Sequence, residues 1–293
     1  MNRFAVLTAE AGVSDGAGLV AWKRLQAWGL QPASPRRLAS TAIEIGYSGL
    51  LPEGASIREL ADGAPLDANF IRETGRAKRL LVADMDSTII GVECIDELAD
   101  FAGVKAEVAE ITERAMRGEL DFEAALIARV GLLAGLPALV LEACFAERVR
   151  LNPGAATLVR TLSALGAETA LVSGGFTFFT ERVAAAAGFG RHQANRLVIR
   201  DGLLTGEVER PILGRVAKRE SLIAIAAAIG VSPAEAVAVG DGANDLDMVR
   251  EAGLGVAYHA KPALAEAAAA RLDHSDLTAI LSLLGIPEEV WIG

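Results

Sequence analysis

Two carboxylates, two residues apart, directly follow an apolar run, and this spacing makes them the first candidates for catalytic residues. Leu80 to Ala83 is continuously apolar, and Asp84 and Asp86 follow it. Neighbouring carboxylates are costly to keep ionised unless a cation neutralises them or one of them holds a proton. The pair predicts either a divalent metal site or a division of acid and base roles, although aspartates are also common turn formers at strand ends.

A second acidic cluster follows the apolar run from Ala236 to Val239. The string GDGAND, residues 240 to 245, places Asp241 and Asp245 among small residues that let the backbone approach a bound ion or anion. Both carboxylates are candidates for metal or phosphate chemistry. The alternative is a glycine-rich turn in which Asp245 caps the next helix.

Two further groups between these clusters suit a phosphoryl group. Ser173-Gly174-Gly175 follows the apolar run from Thr169 to Val172, and Lys218 stands in the first turns of a long helical segment. A hydroxyl, backbone N–H groups and an ammonium all bind phosphate oxygens. Taken singly, a Ser-Gly-Gly string is more often a turn, and a lysine is more often a solvated charge.

The elements that must position these residues alternate from about Arg79 to the end of the chain. Short apolar runs indicate strands buried on both faces, and Ala- and Leu-rich segments between them indicate helices that stop at glycines. The runs are Leu80 to Ala83, Thr169 to Val172, Ala236 to Val239 and Leu254 to Ala257, and the stops are Gly166, Gly188, Gly230 and Gly253. This pattern predicts an α/β protein with a doubly wound parallel sheet. Ligands of such sheets bind at the carboxyl ends of the strands, where the candidate residues stand.

Residues 93 to 150 interrupt the alternation and predict a helical insertion, which is called the cap below. One apolar stripe comprises Val104, Val108, Ile111 and Ala115, and a second comprises Phe122, Ala125, Leu126, Val130 and Leu133. Arg129 falls on the second stripe. A charge in such a place is usually a snorkelling or paired residue and otherwise binds a ligand, and the pattern alone leaves both open.

Two other segments have their own character. Residues 195 to 209 predict a β-hairpin that turns at Asp201-Gly202 and decorates the main sheet. Residues 1 to 76 are interpreted as a small α+β region of βαβ type, because strand-like and helix-like runs alternate between prolines. The runs are Phe4 to Leu7, Gly18 to Trp28, Thr41 to Ile45 and Ile57 to Asp62. A regulatory role is expected of this region. The second domain is predicted to span residues 77 to 293, with the cap at about 93 to 150.

Composition excludes several classes of protein. The 293 residues are 52% apolar with a net charge of −10, so a globular protein is predicted and neither nucleic acid nor a membrane is an expected partner. Two cysteines, Cys94 and Cys144, make no disulfide framework, and a reduced cytoplasmic compartment is expected. His192, His259 and His274 have no metal-ligand spacing and are expected to be structural. The oligomeric state is not encoded in any pattern found.

Four elements in the order DxD-S/T, Ser-Gly-Gly, Lys and GDGxND resemble the haloacid dehalogenase superfamily of aspartyl phosphotransferases. Longer strings sharpen the resemblance toward the branch of that superfamily that hydrolyses O-phosphoserine. They are VADMDSTIIGVECIDELA, ITERAM, LDFEAALIARV, LVSGGF, ANRL, DGLLTGEV and AVGDGANDLDM. The resemblance covers about residues 79 to 275 and says nothing of the role of residues 1 to 75.

The resemblance implies Mg²⁺-dependent hydrolysis of O-phosphoserine, the last step of serine biosynthesis, through an aspartyl phosphate. Asp84 would be the nucleophile, and Asp86 would act as general acid and then as general base. Mg²⁺ would be held by Asp84, the backbone carbonyl of Asp86 and Asp241. Asp245 would support the metal-bound waters or Lys218.

The remaining implied roles concern the substrate. Ser173, the Gly174 N–H and Lys218 would hold the phosphoryl oxygens, and Asn244 would assist the substrate or Lys218. In the cap, the resemblance assigns Glu93 to the substrate ammonium, Arg129 to its carboxylate, and Phe122 and Met116 to apolar cover. For Arg129 it therefore favours ligand binding over snorkelling.

Two other functions remain as alternatives. A phosphatase or phosphotransferase for a sugar, nucleotide or cofactor would keep the core aspartates and Lys218 but would have a different cap, and Glu93 with Arg129 argues against it. A non-catalytic regulator on the same scaffold would be expected to lose the nucleophile. Asp84 and Asp86 are both present, which disfavours that reading.

Overall fold

The N-terminal region is an antiparallel sheet with one long helix against it. The computed structural model describes residues 3–116 and 119–293, and of Met116 only the backbone. The first elements are β1 (Arg3–Thr8), α1 (Asp15–Ala27), β2 (Gln31–Pro32), β3 (Arg36–Ala39), β4 (Ala42–Ser48) and β5 (Asp67–Arg72). Strand β1 pairs antiparallel with both β4 and β5, so the predicted parallel βαβ arrangement is wrong. Strands β2, β3 and β5 escaped prediction because they are short and rich in charged residues or proline.

The rest of the chain alternates strands and helices. In chain order the elements are β6 (Leu80–Ala83), α2 (Cys94–Ala102), α3 (Lys105–Met116), α4 (Phe122–Gly131), α5 (Leu139–Arg148), α6 (Ala155–Ala164), β7 (Glu168–Phe176), α7 (Thr177–Ala187), β8 (Arg191–Asn195), β9 (Leu197–Arg200), β10 (Leu203–Val208), α8 (Arg215–Ala228), β11 (Ala236–Gly240), α9 (Leu246–Glu251), β12 (Leu254–Tyr258), α10 (Pro262–Ala267), β13 (Ala270–Leu272) and α11 (Ala279–Leu283). None of the described helices combines the length and apolarity needed to cross a bilayer.

Six parallel strands form the main sheet in the order β13-β12-β11-β6-β7-β8. The central strands are buried on both faces, as their unbroken apolar runs predict. Successive residues of β6 enter different cores: Leu81 and Ala83 join one cluster, and Leu80 and Val82 join the cluster on the opposite face. The α/β class with a doubly wound parallel sheet is thereby confirmed.

The sheet differs from the prediction at three places. Strand β7 continues through Ser173, Gly174 and Gly175 to Phe176, where a turn was expected. It does so because Phe176 regains a partner in Asn195 of β8 after an irregularity in the register. Strands β8 and β13 were not predicted, since both are edge strands and lack the apolar run that marks a buried one.

The cap consists of α2 to α5 and lies between β6 and α6 in the chain. The described part of residues 93–150 contains no strand, as predicted. The second apolar stripe is buried through Ala125, Leu126, Val130 and Leu133, whereas on the first stripe Val108 is the fully buried member. The cap therefore shares a continuous core with one face of the sheet.

The hairpin forms where the sequence predicted it, but it belongs to the cap. Strands β9 and β10 pair antiparallel and turn at Asp201 and Gly202, which have φ of 51° and 76°. Positive φ at both positions is what a type I′ turn requires. The hairpin forms a separate two-stranded sheet that hydrogen-bonds to the α4–α5 connection through Leu204 with Gly135 and Leu136, so the expectation that it decorates the main sheet is wrong.

The N-terminal sheet docks on the outer edge of the main sheet through buried polar groups. Asn69 donates to the Arg271 carbonyl at 3.0 Å and accepts from the Arg271 N–H at 2.8 Å. Asp67 accepts from the amides of Asp273 and His274 and from the Ser275 hydroxyl. These bonds satisfy main-chain groups of edge strand β13 and the turn after it.

Candidate active site

Asp84 is the first residue beyond β6 and lies where two neighbouring parallel strands end. Its N–H donates to the Val239 carbonyl at 3.0 Å, which ties it to the end of β11. Its Oδ1 accepts from the Met85 N–H at 2.8 Å. Burial, followed by the Asp245 charge, raises the pKa of Asp84, and the nearby Lys218 opposes that rise. The Lys218 ammonium is therefore the group that favours the ionised form of Asp84.

Asp86 is held by donors on both carboxylate oxygens. The Cys94 N–H donates to Oδ1 at 3.0 Å, and the Ser173 hydroxyl donates to Oδ2 at 3.3 Å. Burial raises the pKa of Asp86 to about 6, with the charge of Glu93 as the next contribution. A carboxyl group with this pKa is well suited to give up and take back a proton.

The close approach of Asp86 to β7 depends on Gly175. A Cβ at Gly175 would lie 2.6 Å from Asp86 Oδ2 and 3.1 Å from Ser173 Oγ. The Gly175 N–H instead donates to Ser173 Oγ at 2.9 Å, which orients the serine hydroxyl toward Asp86. The Ser-Gly-Gly string is therefore a strand extension built for close packing of polar groups.

Lys218 projects from α8 into the buried end of the sheet, with no solvent exposure. Its Nζ lies 2.7 Å from Asp84 Oδ1 and 2.6 Å from Asp245 Oδ1. Burial alone would lower the pKa of Lys218, but the charges of Asp245 and Asp84 outweigh it and raise the pKa. The lysine is a permanent cation in the site.

Asp245 anchors this arrangement. Its Oδ1 contacts Lys218, and its Oδ2 accepts from the amides of Asp241 and Gly242 at 3.2 and 3.0 Å. The alternative role of Asp245 as a helix cap is confirmed in part, because its side chain closes the turn that precedes α9. Both oxygens are occupied by protein donors, so its direct role is to hold Lys218 and the GDGAND loop.

Three buried carboxylates could hold a metal ion. Oxygens of Asp84, Asp241 and Asp245 lie within 4.8 Å of one another. Burial and then the Asp245 charge raise the pKa of Asp241 to about 7, so this carboxylate is poorly compensated by the protein alone. Carboxylate oxygens are the ligands that hard divalent cations prefer. The donor set therefore fits such a cation, with Asp84 and Asp241 freer to bind it than Asp245.

Asn244 occupies the exposed side of the same loop. It is half-buried, and its Oδ1 lies so close to Gly242 that a Cβ there would meet it at 2.3 Å. This places the Asn244 carboxamide against Gly242, the residue that follows Asp241. The structure shows a loop contact for it and does not bring it to Lys218 through a described hydrogen bond.

Glu93 and Arg129 face the site from the cap. Glu93 precedes α2 and accepts from the Ser87 hydroxyl at 2.7 Å. Arg129, on α4, donates to the Ala125 carbonyl at 3.3 Å and to Thr112 Oγ1 at 3.5 Å. Burial lowers the pKa of Arg129, and the acidic groups that oppose this are Asp96, Glu93 and Asp86. Arg129 is therefore close enough to Glu93 and Asp86 for their negative charges to act on it.

Phe122 closes the cap onto the phosphate-binding candidates. An ideal Cβ at Gly174 would lie 2.9 Å from Phe122 Cζ, and one at Gly214 would lie 3.0 Å from Phe122 Cδ1. The ring therefore packs against the bare backbone of two segments of the core domain. Met116 ends α3, and its side chain lies outside the described residues.

The fold brings to the site two residues, Ser87 and Asp96, that the sequence analysis did not single out. Ser87 adopts a φ of 56° and turns its hydroxyl to Glu93, and Asp96 is the acidic group whose charge acts most strongly on Arg129. Burial and then the charge of Glu93 raise the pKa of Asp96. Its position three residues after Glu93, on the same helical face, was an available signal.

The sequence profile of the haloacid dehalogenase-like hydrolases matches residues 81–250. A phosphoserine phosphatase from Streptomyces coelicolor is 48% identical over 253 residues, 85% of this chain and 62% of that protein, so this chain spans less than two thirds of that relative.

Two solved structures are also similar. A probable phosphoserine phosphatase from Vibrio cholerae has a TM-score of 0.81 at 34% identity and covers 98% of this chain and 88% of its own. A phospho-aspartyl intermediate analogue of phosphoserine phosphatase has a TM-score of 0.66 at 42% identity and covers 70% of this chain and 98% of its own. The first of these extends the similarity across the N-terminal region as well as the core.

Proposed function

The chain belongs to the haloacid dehalogenase-like hydrolases and, within them, to the phosphoserine phosphatase family, and on this premise we propose that it hydrolyses O-phosphoserine through an aspartyl phosphate on Asp84. One set of contacts carries the proposal. Lys218 Nζ bridges Asp84 and Asp245, while Ser173 Oγ lies 3.3 Å from Asp86 Oδ2. The groups proposed as nucleophile, cation, hydroxyl and proton donor thus lie together at the carboxyl ends of the strands, which supports in-line phosphoryl transfer.

Asp84 is the nucleophile in this proposal. Its Oδ1 is engaged by Met85 N–H and Lys218, which leaves Oδ2 to attack phosphorus. The bond from phosphorus to the serine oxygen breaks as the bond to Asp84 forms. Lys218 keeps Asp84 ionised despite its burial and would carry a nonbridging phosphoryl oxygen as charge shifts in the transition state.

Asp86 moves the proton. In its acid form it gives a proton to the departing serine oxygen, and in its base form it takes one from the water that cleaves the aspartyl phosphate. A pKa of about 6 makes both forms accessible near neutral pH. Ser173 and the Gly174 N–H would hold the remaining phosphoryl oxygens, with Asn244 at the rim of the same pocket.

We propose Mg²⁺ as the cation of the site. The carboxylates of Asp84 and Asp241 and the main-chain carbonyl of Asp86 would hold it, and Asp245 would keep the loop and Lys218 in place. A divalent cation supplies charge neutralisation for the phosphoryl group and for the two carboxylates. The raised pKa of Asp241 supports this assignment, because that carboxylate lacks sufficient compensation from the protein.

Substrate choice is proposed to reside in the cap. Glu93 would bind the substrate ammonium, and Arg129 would bind the carboxylate through a bidentate pair. Phe122 and Met116 would cover the apolar part of the substrate. Glu93 and Arg129 carry opposite charges, and Arg129 lies within electrostatic reach of both Glu93 and Asp86. This pairing supports a zwitterionic substrate over a sugar or nucleotide phosphate.

The test is phosphate release from a panel of phosphorylated metabolites. Phosphoserine, a sugar phosphate, a nucleotide and an aryl phosphate are each assayed with Mg²⁺ and with EDTA. We expect phosphoserine to have the highest kcat/KM and every activity to vanish with the chelator. Full phosphoserine turnover without a divalent cation would contradict the metal site, and no release from any substrate would favour a non-catalytic regulator.

Two further proposals concern the rest of the molecule. We propose that residues 1–76 form a separate module with a regulatory role, which is attached to the core domain by its docking on residues 271–275. A cytoplasmic, reducing compartment is supported by Cys94 and Cys144, which are both free thiols and both buried. Burial raises the pKa of each thiol, which makes them unreactive.

A further inference from the structure

Asn195 is a buried polar residue to which the proposed mechanism gives no task. It ends β8 and is 3% exposed. Its Nδ2 donates to the Gly174 carbonyl at 2.8 Å and to the Leu213 carbonyl at 3.3 Å, and its Oδ1 accepts from the Leu213 N–H at 2.6 Å. One carboxamide therefore joins two chain segments through three main-chain groups.

Both of these segments carry residues that the proposed function assigns to the phosphoryl group. Gly174 follows Ser173 in β7. Leu213 precedes Gly214, whose carbonyl accepts the Lys218 N–H at 2.9 Å in the first turn of α8. The Asn195 side chain thus connects the Ser-Gly-Gly segment with the start of the helix that carries Lys218.

The register of the sheet explains why a side chain is needed there. Strands β7 and β8 pair in parallel from Ala170 to Val172 and again at Phe176 with Asn195, and the register shifts between these points. Main-chain groups inside such an irregularity lose their ladder partners. The Gly174 carbonyl takes the Asn195 amide in place of a strand partner, which satisfies the requirement that a buried carbonyl be bonded.

The same two segments form the surface on which the cap closes. Phe122 packs against Gly174, whose carbonyl Asn195 binds, and against Gly214, which follows the other bound residue, Leu213. A change in the spacing of these segments would therefore shift the phosphate-binding groups and also the surface against which the cap packs.

We infer that Asn195 is a positioning residue that sets the spacing between the Ser173–Gly174 segment and the Lys218 helix for a bound phosphoryl group. The inference rests on the proposed function, since it assigns the phosphoryl group to that place. Only a group that both donates and accepts can make these bonds, and alanine would leave buried main-chain groups unpaired. The residue acts through Ser173, Gly174 and Lys218 and does not touch the substrate.

Asn195→Asp is the sharpest test because it keeps the shape and the acceptor but removes the donor. At neutral pH the new carboxylate faces two carbonyl oxygens. We expect kcat/KM to fall by about 10- to 100-fold, the range for small misplacements of catalytic groups, and by the same factor for phosphoserine and for an aryl phosphate. Inhibition by inorganic phosphate should weaken in parallel.

The pH profile provides a readout specific to the missing donor. A protonated carboxyl group donates a hydrogen bond, so acid should restore the bond to the Gly174 carbonyl. The activity of Asn195→Asp relative to wild type, measured at each pH, should therefore rise as the pH falls. Dividing by the wild-type rate removes the titration of the other groups in the site.

Asn69→Asp is the matched control. Asn69 bonds to the N–H and carbonyl of Arg271 in the same way, but at the docking edge of β13. Its substitution should lower stability while leaving kcat/KM and phosphate inhibition of the folded enzyme unchanged at every pH.

Three outcomes would overturn the inference. They are wild-type constants in Asn195→Asp, a loss confined to phosphoserine, and a variant that is unfolded by circular dichroism at every pH and is therefore a fold mutant. Failure of the proposed function is separately visible, because wild type would then not release phosphate from phosphoserine. Calorimetric binding of inorganic phosphate with Mg²⁺ would still test Asn195: unaltered affinity in Asn195→Asp contradicts the inference, and weakened affinity supports it.

Discussion

The ammonium of Lys218 lies 2.7 Å from Asp84 Oδ1, and neither side chain is more than 4% exposed to solvent. A buried charge that loses its partner is strongly destabilising, because it can no longer be compensated by water. The pair is therefore a stability element as well as part of the proposed catalytic arrangement. Its third member, Asp245, makes the cluster net negative and leaves room for a divalent cation.

Lys218→Met should abolish turnover and lower the free energy of unfolding by about 3 to 5 kcal/mol, the range for removing one partner of a buried ion pair. The loss should be smaller in acid, where Asp84 can hold a proton. Urea unfolding at neutral and at acid pH measures this. In a double-mutant cycle, Asp84→Asn should recover part of the lost stability, and a strictly additive cycle would show that the pair is uncoupled.

Asp84→Asn should abolish phosphoserine hydrolysis, because an amide does not attack phosphorus. Asp86→Asn should leave a slow enzyme, since the nucleophile remains but the proton donor is gone. Acid quench followed by mass spectrometry of the peptide that carries Asp84 distinguishes the two variants. Wild-type turnover in Asp84→Asn, once deamidation is excluded, would refute the nucleophile assignment.

Arg129→Ala should lower kcat/KM for phosphoserine by ~10² or more, because each charge-assisted hydrogen bond is worth about 1.5 to 3 kcal/mol and 1.4 kcal/mol is tenfold. Hydrolysis of an aryl phosphate without a carboxylate should stay within a few-fold of wild type. Arg129→Lys should recover only part of the activity, since a point charge does not reproduce the planar fork.

The ratio of the two substrates is the measurement that decides the role of Arg129. An equal fall for both would mean that Arg129 supports the fold of the cap. Unchanged rates for both would mean that the substrate carboxylate binds elsewhere.

Gly174→Ala should weaken activity because the new Cβ would lie 2.9 Å from Phe122 Cζ and would push the cap away from the phosphate-binding segment. Phe122→Ala should relieve this clash, so the double variant should be no worse than Phe122→Ala alone. Steady-state rates of the two single variants and the double variant test it. If the two substitutions lowered the activity independently and their effects multiplied, the Phe122 ring would not pack against Gly174.

The metal-free protein should lose stability as the pH rises from about 4 to about 7. Burial, with neighbouring charges, raises the pKa of Asp86 to about 6 and that of Asp241 to about 7 from an ordinary value of 3.8. In this interval the folded state binds more protons than the unfolded state, so the free energy of unfolding falls with pH.

Magnesium should reverse that trend. It binds the ionised carboxylates, so its stabilising effect should grow with pH and be larger at pH 7 than in acid. Thermal unfolding with EDTA and with Mg²⁺ across this interval measures both effects. A melting temperature that rises with pH in EDTA, or an equal effect of Mg²⁺ in acid, would contradict the pKa directions given for Asp86 and Asp241.

The residues of the core site were accessible from the amino-acid sequence because strand ends in a parallel sheet share one edge. Continuous apolar runs marked β6, β7, β11 and β12, and the polar residues behind three of them met as expected. The hairpin turn was accessible for a similar local reason, since Asp201-Gly202 permits the positive φ that the turn requires.

Tertiary structure alone decided the pairings that depend on distant backbone. Edge strands β8 and β13 form because a neighbouring strand offers hydrogen bonds, although their own sequences lack an apolar run. The attachment of the hairpin to the cap, the contact of Lys218 with Asp84, and the bridge made by Asn195 have the same origin. For Asp245, the structure selects the contact with Lys218 from the two roles expected of it. Local patterns encode which face a residue presents, but only the packed chain sets which main-chain groups are left unpaired and which buried charges must meet.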